Sequence, residues 1–418
     1  MKDRNFQIKN NLYLIIPIIC LLYWAFHWLI VTQFNPHVSH FDFGIYYYSG
    51  RQILIDPNRF YKEDFGYSIG IAYLPFFQCL WAISLSLLPY EISYFIWYGI
   101  NYICAIWLIL GFNKILILMG VKEKIHRFLF LIVISNGWLI LHQFALNQSK
   151  FMVGAILFFI LSREIQLKRN KGKEKDFKYK FITYFLFCLI AGMVPYFFFL
   201  LLIYMFYDIP RDEMFNKKNL KTYGMVIIIF LAQNFLFFIF PGLLFDFFKI
   251  YRRFQGRQLE LNHYYLIFLD ELFDFNDLAE LIISLVMLIV LYIFIIFLII
   301  TKKFSLELKF SYFAISFIFL NYLAYRILII FLPLTLLFVV PFLNQDAKGI
   351  DFIKKNRIIV ILLISVLGIY LICDQVNPYY PSFKGMSAGW LIFTIILGFC
   401  LLFLYLKRKD FIVENGNK

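Results

Sequence analysis

The feature that most constrains this chain is a series of long apolar runs, of which Leu278 to Ile300, with Glu280 as its single charge, is the clearest. A hydrocarbon layer of ~30 Å asks for roughly 20 apolar residues in a helix, and several runs approach that length. With 62% hydrophobic and 22% aromatic residues among 418, the chain carries more apolar surface than a water-soluble core hides. Lipid is the solvent this composition implies. A helix satisfies its own backbone groups there, and the runs are continuous rather than alternating, which argues against a transmembrane barrel. The expected fold class is all-α, a polytopic integral membrane protein.

The formal charge of +14 does not signal nucleic acid, because the basic residues stand in short clusters between apolar runs. Such clusters mark cytoplasmic loops. They are residues 113–127, the dense group Lys168, Arg169, Lys171, Lys173, Lys175, Lys178 and Lys180, residues 211–221, then Lys302, Lys303 and Lys309, residues 348–357, and 407–409. The first span, Asn11 to Thr32, is too long for a signal peptide's apolar region and has no small-residue cleavage site, so it reads as retained. Both termini then fall in the cytoplasm of a multi-pass cell-membrane protein. Cys20, Cys79, Cys104, Cys188, Cys373 and Cys400 show no metal-site spacing and no disulfide framework.

The outer segments are residues 31–67, 241–277, the turn near Tyr325, and 373–388. Two apolar stretches between the first basic loops are broken at His142 to Lys150 and at Gly192 to Pro195. Each break predicts two short helices meeting at an outward-open, hydrated cavity, since polar groups at that depth are tolerated only against protein or water. Segments 69–88 and 92–110 give one crossing too many, which is resolved by making the stretch at Tyr73-Leu74-Pro75 re-entrant or surface-lying. The total is about twelve full or partial spans in a single domain over residues 1–418.

The least ordinary stretch is the first outer loop, with His40-Phe41-Asp42-Phe43-Gly44-Ile45-Tyr46-Tyr47-Tyr48, then Phe60-Tyr61 and Tyr73-Leu74-Pro75. Asp42, just past the first span, is placed to face both the membrane surface and water and to act as a base. Here the sequence resembles glycosyltransferase family 87, the polyprenyl-phosphate-mannose-dependent mannosyltransferases of the multi-spanning GT-C class. The resemblance extends to Leu146-Asn147-Gln148-Ser149-Lys150, similar to that family's Gly-Gln-x-Asn turn, and to Val194-Pro195, similar to its Lys-Pro turn. It covers about the first 210 residues of the chain. Asn147 stands where the family has glycine, Lys150 where it has asparagine, and Val194 where it has lysine. The resemblance implies a GT-C-like fold with a catalytic first outer loop, and a single displacement with inversion at the sugar carbon.

A lipid phosphate is already a competent leaving group, so transfer needs a base for the acceptor hydroxyl and cations for the phosphate. Asp42 is the candidate base. The candidate phosphate partners are Lys150, Arg252, Arg253, Arg257 and Arg326, all on the outer side in this topology. His40, Tyr46, Tyr47, Tyr73, His142 and Gln148 complete the candidate substrate-binding set, with no metal or cofactor called for. The partners expected are membrane lipid, a polyprenyl- or dolichyl-phosphate sugar, and a lipid or glycan acceptor.

Plainer readings stand beside these. Asp42 also suits a helix cap, and Tyr46 to Tyr48 an interfacial aromatic belt. His40, His142 and His263 suit loop hydrogen bonding, and Arg252, Arg253 and Arg257 suit pairing with Asp246, Glu260 or lipid phosphate. Asp64, Asp270, Asp274 and Asp277 read as solvated loop acids. A transporter or flippase of lipid-linked sugars would use a similar basic cavity and broken helices, although paired halves with matching interruptions are not visible.

Overall fold

Among the described residues helices account for the apolar runs, and no strand occurs. The computed structural model describes residues 2–34, 41–62, 73–135, 147–169, 177–207, 212–249, 277–301, 304–320 and 324–337, with isolated positions between them. Helix α1 (Lys2–Phe34) and α4 (Tyr90–Leu118) contain the stretches Tyr13–Ile30 and Tyr90–Leu118, each long and apolar enough to cross a membrane. Between them lie α2 (Phe41–Ile55), a 3₁₀ turn at Pro57–Arg59, and α3 (Pro75–Ala82). Then come α5 (Lys124–Ser135), α6 (Lys150–Arg169), α7 (Phe177–Met193), α8 (Phe197–Phe206) and α9 (Lys217–Gln233). The short α10 (Leu236–Ile239) and α11 (residues 242–249) follow. Helices α12 (Asp277–Ile300), α13 (Leu306–Leu320) and α14 (Ala324–Leu336) complete the described helices.

Local chemistry sets several boundaries. Pro75 opens α3 at a position where its missing N–H costs nothing, after an extended Leu74. At 8 residues, α3 is ~12 Å long and falls well short of a bilayer's thickness. Pro195 cannot donate to the preceding turn, and α7 and α8 are separate helices on either side of it. Residues 41–55, expected as outer loop, form a helix instead. Phe43, Tyr46, Tyr47 and Gly50 recur at i, i+3, i+4 and i+7, and all four are buried.

Among the described helices the broadest interface joins α4 to α6. Glycines allow the approach: a Cβ on Gly154 would fall 2.6 Å from Leu108 Cδ1, and one on Gly111 would fall 3.1 Å from the Phe158 Cβ. The outward faces stay apolar, with Phe95, Ile103 and Trp107 on α4, Ile227 and Ile228 on α9, and Ile289, Ile293 and Ile296 on α12. Exposed apolar area of that extent is rare on soluble monomers.

Two segments that the charge pattern assigns to one side of the membrane also meet. Phe60 and Tyr61 pack with Leu243 and Phe247, and Asp246 pairs with Lys62 at 3.7 Å and Lys249 at 3.6 Å. Lys309 departs from expectation. The charge pattern puts it in a basic loop, but α13 begins before it and carries it into the core, fully buried. The basic clusters 348–357 and 407–409, the outer segment 373–388, residues 250–276 and the middle of the 168–180 cluster lie outside the described residues.

Candidate functional site

Four stretches far apart in sequence close on one buried polar cluster. Tyr46 comes from α2, Tyr73 from the lead-in to α3, Ser149 and Lys150 from the start of α6, and Gly192 from the end of α7. The Tyr46 and Tyr73 hydroxyls lie 2.9 Å apart, and the Tyr46 hydroxyl is 3.5 Å from Ser149 Oγ. The Ser149 N–H donates to the same phenol oxygen at 3.4 Å. Lys150 Nζ stands 5.7 Å from the Tyr73 ring centroid, within cation–π range.

Backbone contacts hold Tyr73 in place. The Leu74 N–H donates to the Gly192 carbonyl at 3.0 Å, which ties the lead-in of α3 to the α7–α8 break. The Tyr61 hydroxyl donates to the Tyr73 carbonyl at 2.8 Å. Burial, with the Cys79 thiol adding a smaller effect, pushes the Tyr61 phenol well above its ordinary range, so it stays a donor.

The turn before α6 explains one departure from the family-like pattern. Asn147 has φ 50, a left-handed backbone that asparagine tolerates better than any other residue with a side chain. Its carbonyl accepts from Trp97 Nε1 at 2.8 Å, and its side-chain Oδ1 accepts from Asn101 Nδ2 at 2.8 Å. Asparagine therefore serves where glycine would, and adds a side-chain tether.

Tyr46, Tyr73, Gln148 and Lys150 of the expected set fall in or beside this cluster; Gln148 and Lys150 are both buried. Tyr47 does not join it. Its hydroxyl donates to the Leu88 carbonyl at 2.7 Å, and its ring meets Phe43, Tyr48 and Tyr90. Asp42 is the second residue of α2, one turn before Tyr46 and about 6 Å nearer the helix N-terminus. Arg326 is placed on the backbone of α14. His40, His142, Arg252, Arg253 and Arg257 lie outside the described residues. Asp246, offered as a partner for those arginines, is shared by Lys62 and Lys249.

Among the buried polar groups that the sequence motifs did not include are those of Trp97, Asn101 and Glu164. Asn101 is an amide midway along the apolar α4, and Glu164 a lone acid on the buried face of α6. That isolation was the available signal, because a polar group in such a run is costly unless partnered. Glu164 Oε1 accepts from Tyr179 and Tyr204, each at 2.6 Å, and Oε2 accepts from Tyr207 at 3.2 Å. Lys168 Nζ stands over the Tyr207 ring at 4.6 Å, and the Arg163 guanidinium over the Tyr179 ring at 4.7 Å. This knot joins α6, α7 and α8 at the end opposite Lys150.

No family model and no curated protein matches the chain. A functional assignment therefore rests on its own residues and their geometry.

Proposed function

We propose that this chain is a polytopic, GT-C-like membrane glycosyltransferase that moves a hexose, mannose on the family resemblance, from a polyprenyl- or dolichyl-phosphate carrier to a lipid or glycan acceptor on the outer face. The observation that carries the proposal is the convergence of Tyr46, Tyr73, Ser149 and Lys150, with Asp42 one helical turn from Tyr46. The apolar outward faces support a multi-pass arrangement, and the basic clusters support cytoplasmic termini.

In the proposed step Asp42 accepts the proton of the acceptor hydroxyl while that oxygen bonds to the anomeric carbon. The bond from this carbon to the phosphate oxygen breaks, and the lipid phosphate leaves with the electron pair. Configuration inverts. Lys150, at the N-terminal end of the 20-residue α6, brings a cation to a helix end that already favours anions.

The test is transfer of radiolabelled mannose from polyprenyl-phosphate-mannose to a membrane lipid extract by purified protein in nanodiscs. Asp42→Asn keeps size and hydrogen-bonding ability but removes the base, so turnover at saturating donor should fall by about 10²- to 10⁴-fold with donor binding retained. Turnover within a few-fold of wild type removes Asp42 as base. Binding of the lipid-linked sugar with no transfer, and no dependence on Asp42, points to a transporter instead.

A further inference from the structure

Asn147 is fully buried and is held at two different atoms from one face of α4. Trp97 fixes its carbonyl and Asn101 its side chain. The two are four residues apart, so they share a face of the helix, and they are 4% and 1% exposed. The Trp97 ring also lies 4.8 Å from Trp81 of α3 and 6.1 Å from Tyr46 of α2. One side chain thus touches α2, α3 and the turn that opens α6.

Because the peptide of Asn147 is pinned at its carbonyl and its side chain is tethered, the turn has little freedom to rotate. The next residues are Gln148, Ser149 and Lys150. Asn101 also needs a reason to be in an apolar helix. Its bond to Asn147 provides one, and the partner is the residue that aims the start of α6.

We infer that Trp97 and Asn101 are positioning residues, which lock the Asn147 turn and thereby set where Ser149 and Lys150 meet the donor phosphate. The identity of that ligand rests on the transferase proposal; the locking of the turn does not.

The experiment separates the two. Nanodisc-embedded protein is acylated with a water-soluble amine reagent, and peptide mass spectrometry follows Lys150 and, as an internal control, Lys309. In the wild type Lys150 is 7% exposed and Lys309 fully buried, so both should react slowly. Asn101→Leu should raise the Lys150 rate about tenfold, the population change expected for losing one buried hydrogen bond, and leave Lys309 slow. Trp97→Phe, which keeps a ring but removes the donor, should act in the same direction, and Asn101→Gln, which keeps an amide, should restore part of the slow rate. In the transfer assay Asn101→Leu should raise donor KM about tenfold with kcat within a few-fold. A general loss of folded protein would lower kcat and speed both lysines. If Lys150 reacts at the wild-type rate in folded Asn101→Leu and Trp97→Phe, or if both lysines speed up together, the inference is overturned. If the lysine result holds and no sugar is transferred, the turn is positioned as inferred and the transferase proposal is the part that fails.

Discussion

Replacing Glu164 by leucine should destabilise the chain by about 3–5 kcal/mol, the range for removing one partner of a buried charged network. The carboxylate accepts from three phenols, two of them at 2.6 Å, and Tyr179, Tyr204 and Tyr207 are all buried. Leucine removes the acceptor but leaves the donors, and each stranded buried hydroxyl costs roughly 1–3 kcal/mol. The costs do not simply add, because a phenol near the edge of the knot can turn toward water once released. Glu164→Gln keeps one acceptor oxygen but loses the charge, and should cost only about 1–2 kcal/mol. The decisive variant combines Glu164→Leu with phenylalanine at positions 179, 204 and 207. Removing donors and acceptor together strands no phenol hydroxyl, so it should recover part of the loss, with Arg163 and Lys168 left without the nearby carboxylate. Stability is ranked by SDS titration, with the exposure of Cys188, buried in α7, as the probe. Wild-type stability in Glu164→Leu, or a combined variant less stable than the single one, would refute this account of the knot.

If the transferase proposal holds, Lys150→Met should weaken polyprenyl-phosphate binding about tenfold or more, the loss of one charge-assisted hydrogen bond, with a smaller effect on expression; an unchanged affinity makes the residue structural. Gly50→Ala should destabilise by about 1–3 kcal/mol although alanine favours helices, and on the transferase proposal should weaken donor binding through Tyr46 one turn away. The added Cβ would fall 2.1 Å from Ser86 Oγ and 3.1 Å from the Ala82 nitrogen, forcing α2 off α3; stabilisation in an SDS titration would show that the contact yields freely.

The sequence by itself determined what the solvent demands. Lipid asks every stretch of backbone to close its own hydrogen bonds and every outward face to be apolar, and such demands are met residue by residue along the chain. The helical class and the interruptions before Lys150 and at Pro195 were legible for that reason. Helix α2 was legible too, in the spacing of Phe43, Tyr46, Tyr47 and Gly50, but three adjacent tyrosines read more readily as an interfacial belt. What only the tertiary structure decided was the partner of each buried polar group. Tyr46 and Tyr47 are neighbours of the same type, yet rotation by one residue around α2 sends one hydroxyl to Tyr73 and the other to the Leu88 carbonyl. Asn101 and Asn147 are 46 residues apart, and they meet because α4 and α6 pack closely through Gly111 and Gly154. A repeating pattern can announce a helix and its apolar face, but a single buried contact has no repeat in the sequence, and its partner is set by how the helices pack.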